Sequence, residues 1–186
     1  DRRPKYETDG ANHWVLSDGV NDLVNSDASL DFSGTGVITG VYSVRSLDTT
    51  GNANKFYESK RTTGDTREFS VFAPRTSSIH VRAQAQVPEP SIVSVTDNQY
   101  APPSDLIIIA EADITNDTLK VWVNGALAAT STSNMTGSNW GVLDSVRLLF
   151  NSKIRLYRAL VIGRSLNSTE FADAQQWAAA GNGVTI

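Results

Sequence analysis

The sequence contains no cysteine among its 186 residues, which excludes disulfide bonds, thiol catalysis and thiolate metal sites. Histidine is nearly as scarce, because only His13 and His80 occur, far apart and without the i, i+4 spacing of paired metal ligands. The sequence also lacks a phosphate-binding loop and a glycine-rich dinucleotide turn. Thiol, metal and nucleotide chemistry therefore have no support in the sequence.

Long apolar runs and an excess of positive charge are missing as well. No apolar stretch approaches the ~20 residues that a membrane-spanning helix needs. The formal net charge is −4, whereas a nucleic-acid surface needs clustered lysine and arginine. We therefore expect no membrane span and no nucleic-acid partner, and a chain of this length suits one domain with its own core.

Short apolar segments recur along the chain, separated by Gly, Asn, Asp, Ser and Pro, and this spacing predicts an all-β sandwich or barrel. The predicted strands are residues 37–45, 56–61, 67–72, 79–83, 92–95, 106–111, 119–123, 127–130, 142–150 and 154–161. Residues 106–109 show no polar alternation, so we expect a central strand with both faces covered. Asn124-Gly125 predicts a tight hairpin, because both residues tolerate positive φ.

Period-two alternation divides the strand residues into a core set and an outward set. We expect Phe69 and Val71, Ile79 and Val81, Leu119 and Val121, and Ile154 and Leu156 to face the core. The opposite faces then carry Glu68 and Ser70, and His80 and Arg82. This second face is predicted to be polar.

A single helix is predicted near the C-terminus. Asn167 is its expected N-cap, Glu170 completes a capping box, and Gly181 is its expected end. Phe171 and Trp177 lie on the apolar stripe of this helix, so we expect both to fix it to the edge of the sandwich.

The outward positions of several predicted strands carry large or charged side chains. Lys120, Trp122, Arg147, Arg155 and Tyr157 are expected to share one sheet face. Aromatic rings stack against sugar rings while arginine hydrogen-bonds hydroxyl groups, and the same residue types also anchor protein interfaces. The alternative is that the helix or a long loop covers Trp122.

A second candidate site comes from counting antiparallel reversals. The turn at 114–118 and the loop at 130–140 should fall at the same end of the sandwich. That end would gather Asp113, Asn116, Asp117, Asn134, Asn139 and Trp140. Loop ends on a rigid sandwich commonly carry recognition, so we count Asn116, Asp117, Asn139 and Trp140 among the candidate ligand contacts.

Four segments follow a recognisable order: RPKY (3–6) with WVLSDGVND (14–22), LKVWVNG (119–125), the strand that ends in IGRSL (154–166), and the helix that begins STE (168–177). Together they resemble the concanavalin A-like, laminin-G-like jelly-roll family, especially modules of bacteriophage and bacterial surface proteins. The middle of the chain, 48–104, matches only as generic strands. Ser17 stands where the family usually has an aromatic residue.

The resemblance implies a two-sheet antiparallel jelly-roll sandwich with one short C-terminal helix, as a single domain over 1–186. It further implies a non-catalytic recognition or structural module that is extracellular or on a virion surface, such as a tail fibre or capsid decoration protein. Its partners would be a cell-surface glycan or other virion subunits in an oligomeric assembly. Family members usually have one or two strands before the opening segment. Either that start has been removed, or a neighbouring subunit supplies the edge.

The enzymatic alternative is a laminarinase-like glycoside hydrolase, which carries Glu-x-Asp-x-x-Glu on one strand. Glu111 and Asp113 match its first two carboxylates, but Asn116 stands in the position of the acid. We therefore expect no catalytic residues. The cluster at 18–22 has residue types that calcium also uses, yet turns select the same residues for local hydrogen bonding. No metal or other cofactor is expected.

Overall fold

The computed structural model describes residues 3–18, 22–26, 29–47, 55–64, 67–72, 74, 77–85, 91–132, 135, 137–149 and 153–186. Their strands are β1 (Lys5–Thr8), β2 (His13–Leu16), β3 (Val24–Ser26), β4 (Leu30–Phe32), β5 (Val37–Ser46), β6 (Lys55–Lys60), β7 (Arg67–Phe72), β8 (Ser78–Ala85), β9 (Ser91–Thr96), β10 (Ser104–Asp113), β11 (Thr118–Val123), β12 (Ala126–Ser131), β13 (Gly141–Leu143), β14 (Ser145–Leu148) and β15 (Ile154–Ile162). A short 3-10 helix (Asn98–Tyr100) precedes β10, and the helix α1 (Ser168–Asn182) follows β15.

Two antiparallel sheets form the sandwich. One sheet has seven strands in the order β1-β2-β15-β5-β10-β11-β12, and the other has six in the order β3-β14-β6-β7-β8-β9. β4 and β13 form a separate two-stranded ribbon. The predicted all-β class with two antiparallel sheets and one helix is confirmed.

β10 lies in the middle of the seven-stranded sheet, as its apolar sequence predicts. Leu106 and Ile108 face the core between the two sheets, while Ile107 and Ile109 face the opposite way and pack with α1. All four side chains are buried. A strand with two covered faces gains apolar burial on both, which explains the absence of polar alternation.

β11 and β12 are joined by the predicted two-residue turn. Asn124 and Gly125 have φ of 48° and 87°, the positive values that this hairpin geometry requires. The Asn124 side chain also accepts a hydrogen bond from the backbone N–H of Ile107 at 2.8 Å. The turn is therefore tied to the centre of the sheet.

α1 begins at the predicted cap. The Asn167 side chain accepts a hydrogen bond from the Glu170 N–H at 3.0 Å, and the Glu170 carboxylate accepts one from the Asn167 N–H at 3.0 Å. The predicted end at Gly181 is wrong by one residue. The helix continues to Asn182, and Gly183, with φ of 75°, supplies the left-handed C-cap.

Small residues hold α1 against the sheet. Ala174 and Ala178 pack on the apolar side chains of β5 and β10, and Phe171 joins the same cluster as predicted. Trp177 contributes less to the packing of α1 on the sheet than expected. Its side chain points about 100° around the helix from Ala178, is 40% exposed, and has the Arg158 guanidinium 5.2 Å from its ring centroid.

The single strand predicted at 142–150 is wrong. β13 pairs with β4, whereas β14 pairs with β3 and β6 in the six-stranded sheet. Between them, the Asp144 carboxylate accepts hydrogen bonds from the backbone N–H and the hydroxyl of Thr62, both at 2.8 Å. This contact holds the chain where it passes from the two-stranded ribbon to the six-stranded sheet. The Thr, Gly and Asn residues of segment 48–54 also predict a turn, but this segment lies outside the described residues.

Candidate functional site

The outward face of the six-stranded sheet carries a line of paired residues that crosses all six strands. The cross-strand register joins Asn25, Arg147, Glu58, Ser70, Arg82 and Ile92. At a strand spacing of about 4.8 Å, the line is roughly 24 Å long. The alternate residues of β7, Phe69 and Val71, are buried in the core as predicted.

A buried carboxylate on β6 holds three cationic side chains around it. Lys55 Nζ lies 2.5 Å from Glu58 Oε1 and 2.6 Å from Glu68 Oε1, so it bridges two strands. Lys60 Nζ and an Arg147 guanidinium nitrogen each lie 3.5 Å from Glu58 Oε2. These contacts tie β14, β6 and β7 together across the outer face.

Glu68 extends the network to β8. Its Oε1 accepts a hydrogen bond from the Ser70 hydroxyl at 2.8 Å, and its Oε2 lies 3.7 Å from Arg82 Nε. Arg82 in turn donates to the Gln84 side-chain oxygen at 3.1 Å. We call the connected set the ionic face: Lys55, Glu58, Lys60, Glu68, Arg82 and Arg147.

Solvent contacts the cations of the ionic face rather than its carboxylates. The side chains of Lys60, Arg82 and Arg147 are each 31% exposed, while those of Glu58 and Glu68 are 3% and 8% exposed. Burial raises the pKa of Glu58, but the neighbouring cations, Lys55 first, outweigh it and leave that pKa below its ordinary value. Glu58 is therefore ionised at neutral pH and holds the cations in place.

Glu58 and Glu68 form a carboxylate pair on adjacent strands, the arrangement that a retaining glycoside hydrolase uses. Such an enzyme needs one protonated acid of raised pKa, and both carboxyl groups must reach the sugar. Here the Lys55 ammonium lies between the two groups, both side chains are buried, and the pKa of Glu58 is lowered. This geometry fits an ion network better than a catalytic pair.

An apolar pocket of about 160 Å³ adjoins the ionic face and is lined by Phe72, His80, Arg82 and Ile92. Ile92 is 53% exposed. Burial lowers the pKa of His80, whose Nδ1 lies 2.7 Å from the Ser94 hydroxyl, so the imidazole is neutral at pH 7. The pocket thus places aliphatic and aromatic surface beside a guanidinium group.

A larger cleft of about 420 Å³ lies on the other side of the sandwich, where α1 begins. Trp122 of β11 and Phe171 of α1 meet there edge to face, with ring centroids 5.2 Å apart. Lys120 and Glu111 form one rim, with Nζ and Oε1 3.4 Å apart. We call this the helix cleft, and its lining includes Glu111, Lys120, Trp122, Ser165, Ser168 and Phe171.

Trp122 therefore faces outward as predicted, and α1 covers it only in part. Arg155 and Tyr157 lie on the same sheet face but in a separate cluster. The Arg155 guanidinium stacks 4.5 Å from the Trp14 ring centroid, and Tyr157 meets that ring edge-on at 5.8 Å. Strand geometry puts this cluster about 20 Å from Trp122.

Arg147 belongs to the other sheet, so the predicted common face is wrong for it. Consecutive strands β14 and β15 enter different sheets.

The two loops predicted to meet at one end of the sandwich do meet. Asp117 Oδ1 accepts a hydrogen bond from the Met135 N–H at 2.7 Å. Asn139 accepts hydrogen bonds from the Arg67 guanidinium through its carbonyl at 2.7 Å and its side chain at 3.2 Å. Both residues stabilise the loops, and Asn134 lies outside the described residues.

Residues 111–116, which match only part of the glycoside hydrolase motif, end a strand and form a turn. The Asp113 carboxylate accepts hydrogen bonds from the backbone N–H groups of Thr115 and Asn116 at 2.9 and 3.0 Å. Asn116 is exposed, and its side chain donates to the same carboxylate at 2.7 Å. Asp113 therefore ends β10 and begins the turn, while Glu111 pairs with Lys120.

The expected exposure of Trp140 is wrong. Its side chain is fully buried, lies 6.5 Å from Phe69 between ring centroids, and donates its indole N–H to the Gly36 carbonyl at 3.0 Å. The loop returns this large ring to the core before β13 begins, because removing the apolar surface of an indole from water lowers the free energy of the folded state. Trp140 is not available to contact a ligand.

Within the described ranges, no group of three or more His, Asp and Glu side chains is arranged to hold a metal ion. Asp22 Oδ2 accepts a hydrogen bond from the Asp18 N–H at 2.9 Å, the local bonding expected of a turn, although residues 19–21 of that cluster lie outside the described part. None of the described helices has the length and apolar character that crossing a membrane requires.

Solved structures of known proteins share this architecture. The binding domain of Paraclostridial Mosquitocidal Protein 1 has a TM-score of 0.71 at 10% identity, over 97% of this chain and 47% of that one. The Ruminococcus gnavus IT-sialidase CBM40 bound to α2,3-sialyllactose has a TM-score of 0.57 at 14% identity, over 81% and 97%. A heptameric SAP-like pentraxin from Limulus polyphemus has a TM-score of 0.61 at 9% identity, over 97% and 80%. The fold is a concanavalin A-like jelly roll.

The predicted jelly roll is thus confirmed, at identities that establish the fold alone. The chain spans about half the length of the toxin binding domains that it matches. No protein-family model matches the sequence, and no curated protein sequence matches it either. The ionic face and the helix cleft lie on opposite outer surfaces of this jelly roll, each on a different sheet.

Proposed function

We propose that this chain is a non-catalytic carbohydrate-recognition module whose binding surface for acidic glycans is the ionic face. The observation that carries the proposal is the arrangement of charge. Buried carboxylates hold three partly exposed cations, Lys60, Arg82 and Arg147, toward solvent on a protein whose formal net charge is −4. A ligand that complements such a surface brings negative groups and many hydroxyls, as a glycan with carboxylated sugars does.

Arg82 and Arg147 are the expected anchors for the acidic groups. They stand three strand spacings apart in the cross-strand line, or about 14 Å. One glycan chain lying along the line therefore reaches both guanidinium groups. Arginine binds a carboxylate through two parallel hydrogen bonds, and the ion pairs with Glu58 and Glu68 keep both side chains in place before the ligand arrives, which reduces the entropy lost on binding.

The neighbouring apolar pocket completes the expected site. Phe72 and Ile92 offer surface against which the C–H face of a sugar ring packs. The similarity to a CBM40 bound to α2,3-sialyllactose, which is a carboxylated sugar, supports the acidic class of ligand. The binding domains among the similar toxins support recognition rather than catalysis.

The proposed setting is extracellular, on the surface of a virion, where the module acts as a tail fibre or capsid decoration protein. The resemblance of its four sequence segments to modules of bacteriophage and bacterial surface proteins supports this setting. A neighbouring virion subunit is the second candidate partner, in an oligomeric assembly. Immunogold labelling of intact virions with an antibody against this chain tests the location, and light scattering of the purified protein tests the assembly.

Calorimetric titration with 3′-sialyllactose and with oligogalacturonate tests the function. We expect the protein to bind at least one of these acidic probes, and to bind it more weakly at about 0.5 M salt, where the Debye length falls to about 4 Å. Arg82→Gln and Arg147→Gln should each weaken binding by about tenfold or more, because each removes charge-assisted hydrogen bonds.

Arg164→Gln is the matched control. Arg164 is also a surface arginine in an ion pair, with Glu170 at 2.6 Å, but it lies in the connection between β15 and α1, away from the six-stranded sheet. This variant should bind like the wild type. The proposal fails if neither acidic probe binds, or if the Arg82 and Arg147 variants bind as tightly as the Arg164 variant.

A further inference from the structure

Trp122 differs from the two other tryptophans that the strands and loops of the sandwich carry. The indole N–H of Trp14 donates to the Glu7 carboxylate at 3.2 Å, and that of Trp140 donates to the Gly36 carbonyl at 3.0 Å. Trp122 is only partly buried, and among the described residues none accepts a hydrogen bond from its indole N–H. It therefore presents to solvent both ring surface and an unused donor.

The aromatic walls of the helix cleft are held rigidly. Trp122 lies on β11, which is paired on both sides, and its ring packs against Phe171. Phe171 is in the first turn of α1, which the capping box of Asn167 and Glu170 stabilises. Arg164 adds a two-pronged ion pair to Glu170 at 2.6 and 2.8 Å. The cleft is thus formed before any ligand arrives, which lowers the entropic cost of binding.

The rim of the helix cleft is polar and carries no net charge. Lys120 and Glu111 oppose each other at 3.4 Å, a distance that leaves both groups with hydrogen-bonding capacity, and the Lys120 side chain is 38% exposed. Ser165 and Ser168 line the other wall with hydroxyl groups. Donors and acceptors therefore surround the aromatic walls without favouring an anion or a cation.

We propose that the helix cleft is a second saccharide site, which takes one neutral pyranose ring stacked on Trp122. Its volume of about 420 Å³ lies in the range of small-molecule sites. The hydroxyls of a sugar pair with Lys120, Glu111 and Ser168. An apolar peptide side chain in the same place would desolvate the two charged groups without giving them partners, at a cost in free energy.

This site is distinct from the ionic face in place and in ligand. It lies on the seven-stranded sheet, and its neutral rim contrasts with the cationic surface of Arg82 and Arg147. The module would then hold two glycan classes on opposite sides. The inference does not depend on the acidic site, and either can fail alone.

Titration with cellohexaose, maltohexaose and chitohexaose, followed by calorimetry and tryptophan fluorescence, tests the inference. At least one of these neutral oligosaccharides should bind. Trp122→Ala should weaken binding by about 30-fold or more, the loss expected of a central aromatic contact, and Trp122→Phe should remove the fluorescence change. Trp177→Ala is the matched control, because Trp177 is an exposed tryptophan of α1 outside the cleft.

Lys120→Gln provides a second test that leaves the packing of Trp122 on Phe171 untouched, and it should weaken binding by about tenfold. The inference is overturned if no neutral oligosaccharide binds at millimolar concentrations, or if the Trp122 and Lys120 variants bind like Trp177→Ala. Neutral binding that survives Arg82→Gln, while acidic binding is lost, supports two separate sites. If an acidic probe binds and no neutral oligosaccharide does, the proposal for the ionic face stands and the helix cleft is not a saccharide site.

Discussion

Replacing Glu58 with Gln should lower the free energy of unfolding by about 2 to 3 kcal/mol at pH 7. The substitution keeps the shape of a side chain that is 3% exposed and removes its negative charge, so Lys55, Lys60 and Arg147 lose a shared partner. Removing one member of a buried ion pair costs roughly 3–5 kcal/mol. Here the cations are 18–31% exposed, so water offsets part of that loss and the expected value is smaller.

The dependence on pH distinguishes lost charge from altered packing. Burial raises the pKa of Glu58, but the surrounding cations Lys55, Lys60 and Arg147 together outweigh it, so that pKa in the folded protein lies below its ordinary value of 4.5. The unfolded chain therefore binds the proton more readily than the folded one. The stabilisation is fully present above about pH 5 and is lost as pH falls through the folded pKa. The difference between wild type and Glu58→Gln should shrink accordingly.

Urea unfolding at pH 7, 5 and 3, monitored by tryptophan fluorescence, measures this difference directly. Glu170→Gln is the control, because that carboxylate also pairs with an arginine but lies at the surface, and its loss should be clearly smaller. A loss of less than about 0.5 kcal/mol for Glu58→Gln at pH 7, or an equal loss at pH 7 and pH 3, would refute the charge argument.

Three further substitutions test single contacts of the fold, each by urea unfolding. Asn167→Ala removes the N-cap of α1 and should cost about 1 kcal/mol, which Ser at this position should largely restore. Gly40→Ala should cost about 1–3 kcal/mol or more, because the added Cβ would lie 2.4 Å from the Tyr42 hydroxyl in a buried strand. Asn124→Ala should cost about 1–2 kcal/mol, since it strains a positive φ and removes the bond to the Ile107 N–H, whose hydrogen exchange should accelerate. An unchanged urea midpoint of unfolding in any of the three variants would contradict the role assigned to the contact that the variant removes or disturbs.

Features that depend on a few neighbouring residues were predictable from the sequence. The alternation in 67–72 predicts β7 with its true bounds, Asn124-Gly125 predicts the hairpin, and Asn167 with Glu170 predicts the capping box. Each of these is determined by local backbone geometry and by hydrogen bonds between residues close in sequence. Tertiary packing did not need to be known.

The ionic face depends on sheet order, which alternation does not contain. Alternation placed Glu68 and Arg82 on an outward face, correctly, and it also turned Arg147 outward. It gave no reason to bring Glu58 and Arg147 together, because β14 and β6 are far apart in the chain and pair only in the folded sheet. The sequence did contain one signal: Glu58 and Lys60 stand at alternate positions, so a strand places both charges on the same face.

Trp140 shows the limit of reading loops by composition. It follows a stretch of Thr, Ser, Asn and Gly, and such a stretch usually indicates an exposed connection. The indole instead fills the core beside Phe69, and Gly36 accepts its only polar hydrogen. A large aromatic residue in a polar loop gains more from reaching a nearby core than from remaining in water, and only the folded arrangement shows that the core is within reach.

The two proposed sites should bind their ligands independently. They lie on the outer surfaces of different sheets, and two packed sheets are about 10 Å apart before their outward side chains are added. Sites separated in this way, with no shared side chain, are coupled by no more than about 0.3–0.5 kcal/mol. Saturation of the helix cleft with a neutral oligosaccharide should therefore change the Kd of the acidic probe by less than about twofold. A larger change would mean that the core between Trp122 and Arg82 transmits strain, and that the sandwich is not the rigid support that both sites require.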